Sequence, residues 1–214
     1  MEKKLWEASY KQKIKSNLFD FEKLISKKYN KKFKRNYSNI LEWSIKNLDL
    51  FWSAIWEFTG VKGDKVKKFK FTSEFIKNKF FVNSKLNFAE NLLSKDDNSK
   101  AITFISETGY REVTSWKELY KNTSNLMNFF VQNKIKEKDR IAAYMANQTE
   151  TVECFLAASA IGSIWSSCSP DFGIHGLVER FSQIKPKLLI ITDRYFYNGK
   201  EINILERLPF IIKR

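Results

Sequence analysis

A chain of 214 residues, 43% hydrophobic and 15% aromatic, is long enough to bury a sizeable core, and this composition excludes intrinsic disorder. The formal net charge is +14, but 31 of the 38 basic residues are lysines spread along the chain; lysine suits planar phosphate and base recognition poorly, which argues for a solvated surface and against a nucleic-acid partner. Cys154 and Cys168 with a single histidine are too few ligands for a zinc site, no run reaches the roughly 18 apolar residues of a membrane span, and the opening MEKKLWEASYKQK has no signal-peptide core, so a cytoplasmic protein with buried free thiols and no membrane partner is expected.

The first predicted helix is Asn17–Lys28, with Leu18, Phe21, Leu24 and Ile25 on one face. Asn39–Asn47 follows, presenting Ile40, Trp43 and Ile45. Leu48–Phe58 (LDLFWSAIWEF) carries Phe51, Trp52, Ile55, Trp56 and Phe58, an apolar face broad enough to expect burial on most sides. Such an aromatic cluster reads as core packing before it reads as a cofactor-stacking box. Gly60 and Gly63 are placed to end this helix.

Asp96-Asp97-Asn98-Ser99 is a polar break, and the expected domains are residues 1–97, mainly helical, and 98–214. Beyond the break, Ala101–Ile105 and Tyr110–Thr114 flank Glu107-Thr108-Gly109 as a hairpin with glycine at the position that needs positive φ. Ser115-Trp116-Lys117-Glu118 has the spacing of a capping box. The helix behind it should bury Trp116, Leu119, Tyr120, Thr123, Leu126, Met127 and Phe130. Arg140–Met145 then reads as a strand, Thr149–Ile161 as a helix capped by Asn147 with Glu150, and Ser163–Cys168 as a strand after the stop at Gly162. Gly173–Ile184 is a further helix, and Lys187–Thr192 (KLLIIT) a buried strand with a free edge.

Strands alternating with helices of this length predict an α/β fold. A helical, aromatic-rich amino-terminal region is followed by the first βα units of a mostly parallel sheet with right-handed crossovers. Ligands of such sheets bind beyond the carboxyl ends of the strands, here Met145-Ala146-Asn147, Cys168–Phe172 and Asp193–Lys200.

Ser166, Ser167 or Ser169 with His175 and Asp171 could suggest a Ser-His-Asp triad, but there is no G-x-S-x-G elbow to expose a nucleophile. His175, just inside a helix start, reads as a surface residue. Neither G-x-x-x-x-G-K-[ST] nor G-x-G-x-x-G occurs, and the seven glycines form no dense cluster that could cradle a phosphate.

The blocks GSIWSSCSPDFG (Gly162–Gly173) and TDRYFYNGK (Thr192–Lys200) resemble the acetoacetyl-CoA synthetases, a family of AMP-forming acyl-CoA ligases. LWEAS (Leu5–Ser9), LEWSIKNLDLFWSAIWEFTGVKGD (Leu41–Asp64) and FFVNSKLNFAENLL (Phe80–Leu93) resemble the amino-terminal region of these ligases and its junction with the adenylating domain. The resemblance implies an adenylate-forming fold and a two-step reaction. Acetoacetate attacks the α-phosphate of Mg-ATP to give an acyl adenylate, and CoA thiol then displaces AMP. ATP, CoA and Mg2+ are thus implied for the full-length enzyme. The family's phosphate loop, of the S-S-G-T-T-G-x-P-K kind, and its catalytic lysine do not occur before Arg214. The expectation is therefore the opening portion of a ligase, inactive alone and binding none of these molecules tightly, with no catalytic residue and no metal ligand. Two rival readings are an acetyl- or propionyl-CoA synthetase-like fragment and a basic module that binds nucleotides or nucleic acid.

By the same resemblance, part of the CoA nucleotide site falls on Ser169, Pro170, Asp171, Tyr197, Asn198, Gly199 and Lys200. Lys200 stands where acetyl-CoA synthetases carry an arginine, and would meet a phosphate as a point charge. Tyr197 replaces a second arginine and is suited to stacking on adenine. Asp171 replaces a small residue; it either repels phosphate or caps the helix that starts at Gly173. All seven also fit ordinary turns at the ends of strands.

Overall fold

The computed structural model describes residues 5–212, which divide into two compact units, one up to Leu86 and one from Asn87 on. In the first, α1 (Tyr10–Ile14) opens with a capping box between Ser9 and Gln12. Helices α2 (Asn17–Tyr29), α3 (Tyr37–Lys46) and α4 (Leu48–Phe58) enclose a core of Phe21, Ile25, Phe33, Ile40, Trp43 and Ala54. Its rings meet edge to face, Phe21 on Phe51 with centroids 5.8 Å apart and Phe33 on Trp43 at 5.4 Å, the arrangement their quadrupoles favour.

Gly60, at φ +65°, ends α4: its N–H reaches the Glu57 carbonyl while that of Val61 reaches Trp56. Gly63 serves differently. A Cβ there would lie 2.6 Å from the Lys85 carbonyl oxygen, so only glycine lets residues 64–85 double back with Asp64 paired to Lys85. Three expected core positions face outward: Leu18 is 45% exposed, Ile45 64% and Trp52 39%. On α4, Trp56 is buried and Phe51, Ile55 and Phe58 are half-buried, so its apolar face is covered except at Leu50 and Trp52.

The second unit begins at Asn87, ahead of the polar segment at 96–99. Asn87 caps α5 (Phe88–Leu92) by accepting from the Glu90 N–H. Its amide donates at 3.0 Å to the carbonyls of Ser159 and Ala160, which ties α5 into this unit. The hairpin β1 (Lys100–Ile105) and β2 (Arg111–Ser115) turns at Gly109, φ +84°. The capping box of α6 (Trp116–Gln132) forms fully, with Ser115 and Glu118 each accepting from the other's backbone N–H. Leu119, Thr123 and Phe130 are buried on that helix, but Tyr120 is 48% exposed.

The central sheet holds β3 (Arg140–Tyr144), β4 (Ile164–Cys168) and β5 (Leu188–Ile191), all parallel, in the order β4-β3-β5. α7 (Thr149–Ala160) connects β3 to β4 and α8 (Ile174–Ile184) connects β4 to β5. These crossovers run in opposite directions along the sheet, and right-handed connections then require helices on opposite faces. The core obeys this: Ile141 packs with Phe130, Ala157 and Ala158, whereas Ala142 and Tyr144 pack with Leu177 and Phe181. A strand covered on both sides must be apolar at every position, and Ile141, Ala142, Ala143 and Tyr144 are all fully buried. β5 is only half-buried along its length, and among the described residues its outer edge has no strand partner.

α7 starts differently from expectation. Gln148, not Asn147, is its N-cap and makes no side-chain cap bond; the Thr151 hydroxyl donates instead to the Ala146 carbonyl at 2.7 Å. After β5 the chain forms a second hairpin, β6 (Arg194–Tyr197) and β7 (Lys200–Asn203), and then α9 (Leu208–Ile212). No described helix is long and apolar enough to cross a membrane.

Candidate functional site

In a parallel sheet ordered β4-β3-β5, the strand order reverses between β3 and β5, and the crevice beyond the carboxyl ends of the strands is where such folds take ligands. A cleft of about 450 Å³ lies there. Its floor is Ala146, Asn147 and Gln148 after β3, and Ser169, Pro170 and Asp171 after β4. One wall is Phe104–Thr108 with Tyr110, from the β1–β2 hairpin, and the other is Arg194–Tyr197 of β6. Aromatic rings on both walls and few charges at the floor suit a flat heterocycle better than a bare anion.

The floor is held from below. Tyr144 ends the buried strand, and its single phenolic hydrogen is shared between the carbonyls of Pro170 at 2.9 Å and Phe172 at 3.0 Å. Arg207, from the turn before α9, donates to the phenol oxygen at 2.6 Å and to the Pro170 carbonyl at 2.9 Å. Pro170, itself buried, is thereby fixed against the sheet.

Asp171 neither caps α8 nor stands free. The cap is Gly173, which makes no side-chain bond. The Asp171 carboxylate accepts from the Tyr195 hydroxyl at 2.9 Å and from the Ser169 hydroxyl at 2.8 Å. Burial, reinforced by this carboxylate, pushes the Tyr195 phenol up to about 12, so it remains a neutral donor. Asp171 thereby joins the β4 turn to β6.

Of the seven residues singled out from the sequence, Ser169, Pro170, Asp171 and Tyr197 line the cleft, while Asn198, Gly199 and Lys200 form the β6–β7 turn at its rim. That turn corrects the reading of residues 193–200 as a plain strand end. Asn198 at φ +52° and Gly199 at φ +69° make a two-residue loop of the primed type, which Asn-Gly favours. Tyr197 and Lys200 pair directly across it, so their side chains share one face of the ribbon. Glu201, the acidic neighbour of Lys200, is taken by Arg194 at 2.6 Å, and no partner of Lys200 is found among the described residues. Glu107 gave no local signal in the sequence, yet its carboxylate accepts from the backbone N–H groups of Asn198 and Gly199 at 3.0 and 2.9 Å. His175 is exposed on α8. Among the described residues no three His, Cys, Asp or Glu side chains are grouped to hold a metal.

The family model described as AMP-binding enzyme matches residues 92–209. Acetoacetyl-coenzyme A synthetase of Rhizobium meliloti (strain 1021) is 35% identical over 213 residues, 99% of this chain and 33% of that protein. Acetoacetyl-CoA synthetase of Rattus norvegicus is 36% identical over 183 residues, 83% of this chain and 27% of the rat protein. Among solved structures, the acetoacetyl-CoA synthetase from Streptomyces lividans matches with a TM-score of 0.91 and 25% identity, over 99% of this chain and 33% of that one. The chain thus spans about a third of the length of the curated relatives it matches.

Proposed function

Because the chain belongs to the AMP-binding enzyme family, we propose that it is the amino-terminal part of an acetoacetate–CoA ligase, converting acetoacetate, ATP and CoA to acetoacetyl-CoA, AMP and diphosphate through an acyl adenylate. The observation that supports this reading is the cleft beyond the carboxyl ends of the sheet, which Ser169, Pro170, Asp171 and Tyr197 line together. In it the chain's own residues bind and orient; they break no bond. Tyr197 offers a ring face to the adenine of CoA, and Lys200 offers an ammonium to a CoA phosphate. The Ser169 and Tyr195 hydroxyls keep Asp171 occupied, which blunts its repulsion of that phosphate.

The adenylating step needs a phosphate-binding loop, a lysine and Mg2+, which the reading assigns to sequence outside these 214 residues. The domain boundary that goes with it separates the helical region, residues 1–97, from the start of the AMP-binding domain. We take the partners to be small molecules, with neither nucleic acid nor membrane among them, and the compartment to be the cytoplasm.

The test is acetoacetate-dependent release of diphosphate, and formation of a CoA thioester, by protein expressed from the complete gene. The 214-residue chain alone should form no acyl adenylate. Preference for acetate or propionate would overturn the acyl assignment, and adenylation by the 214-residue chain would overturn its reading as a non-catalytic part.

A further inference from the structure

The two hairpins that wall the cleft belong to separate two-stranded sheets and share no ladder. The Glu107 side chain ties their loops together. Glu107, at the tip of β1–β2, places one carboxylate oxygen 3.0 Å from the Asn198 N–H and the other 2.9 Å from the Gly199 N–H. Charge-assisted bonds of this kind are stronger than neutral ones, and a two-oxygen grip fixes orientation as well as distance. The grip joins residues more than ninety positions apart, so it anchors to the other hairpin a turn that the β6–β7 ladder closes but does not hold in place.

We propose that Glu107 is the positioning residue of this cleft. Its carboxylate holds the Asn198–Gly199 turn, which keeps Tyr197 on the wall and Lys200 at the rim. This rests on the nucleotide-pocket reading above. A second consequence is electrostatic. Glu107 already occupies both turn N–H groups, so an incoming phosphate meets the Lys200 ammonium and not the backbone.

The experiment compares Glu107→Ala and Glu107→Gln with the parent, in protein from the complete gene. Amide exchange over residues 195–203 reads the latch, and the CoA KM against kcat reads positioning. Glu107→Ala should speed exchange at Asn198 and Gly199 by about tenfold and raise the CoA KM about five- to tenfold, with kcat and acetoacetate-dependent ATP–diphosphate exchange within about twofold. Glu107→Gln keeps the shape and one acceptor, so it should fall between, and it carries the test should the alanine variant fail to fold. Unchanged amide exchange overturns the latch. Faster exchange with an unchanged CoA KM overturns positioning, provided Lys200→Ala still raises that KM. A lowered CoA KM in Glu107→Ala means the freed N–H groups take the phosphate, which also overturns the proposal. If neither Glu107 nor Lys200 variants move the CoA KM, the nucleotide reading itself falls, while amide exchange still decides whether Glu107 holds the turn.

Discussion

Tyr144 grips the carbonyl of Pro170 at 2.9 Å from inside the sheet, and Arg207 donates to both members of that pair, at 2.6 Å to the phenol and 2.9 Å to the carbonyl. The Tyr144 side chain is completely buried, so its hydroxyl has no water to fall back on. Tyr144→Phe removes the donor to Pro170 and Phe172 and strips Arg207 of an acceptor without leaving a cavity. Unpaired groups of this kind cost about 1–3 kcal/mol, so the urea midpoint of the β3–β5 unit should fall accordingly. An unchanged midpoint would mean that the Tyr144 hydroxyl adds nothing to what packing and the Arg207–Pro170 bond already hold.

Lys200→Ala should weaken CoA binding about tenfold in the complete enzyme, because Glu201 is taken by Arg194 and no other carboxylate among the described residues pairs with the ammonium. The difference between variant and parent should shrink as salt rises, since screening weakens the contact only where it exists. ATP–diphosphate exchange with acetoacetate needs no CoA and should hardly change. Equal losses in exchange and CoA affinity would place Lys200 in the adenylation site or in the fold.

Glu153 lies between α6 and α7, 6% exposed, with one oxygen accepting from the Asn122 amide at 2.8 Å. Burial raises its pKa above the ordinary 4.5; the Asn122 bond opposes the rise, and Glu150 and Glu112 add to it. A carboxyl whose folded pKa is raised gives stability that is complete below about pH 4.5 and is lost as pH rises through the folded value. Glu153→Gln keeps the Asn122 bond and cannot ionise. It should therefore melt above the parent at pH 8, with the advantage shrinking toward pH 4. A difference in melting temperature that stays constant across that range would show that Glu153 does not titrate.

Cys154 is buried on α7, and burial, with Glu153 and Glu150 nearby, pushes its thiol from 9.0 up to about 11. At pH 8 the thiolate fraction then drops from about a tenth to about a thousandth, so alkylation of the folded protein at Cys154 should be far slower than after denaturation. Rapid labelling of Cys154 in the native state would show that α7 opens readily.

The elements of this fold are mostly legible in the sequence because period and punctuation agree: α6 starts at its capping box, and β3 is apolar at every buried position. Periodicity shows which residues share a face, but not whether anything covers that face. Ile45, Trp52 and Tyr120 are exposed for that reason. Asn147 resembles a helix cap, but capping depends on backbone angles one residue later, at Gln148. In the site, Asn198-Gly199 carries a strong hairpin signal, which the irregular pattern of β6 and β7 obscures. The ties that assemble the cleft, Glu107 to Asn198 and Arg207 to Tyr144, join residues 91 and 63 positions apart, and no local pattern encodes them.

The strand order β4-β3-β5 also has a consequence for synthesis. The middle strand is the first of the three to leave the ribosome, and each outer strand emerges with its partner already made. β4 arrives after one short helix and can pair at once, giving a local crossover before β5 exists. No segment has to wait, unpaired and sticky, for an inner neighbour still to be translated. A sheet that grows outward from its oldest strand lowers the risk of misassembly on a slowly elongating chain.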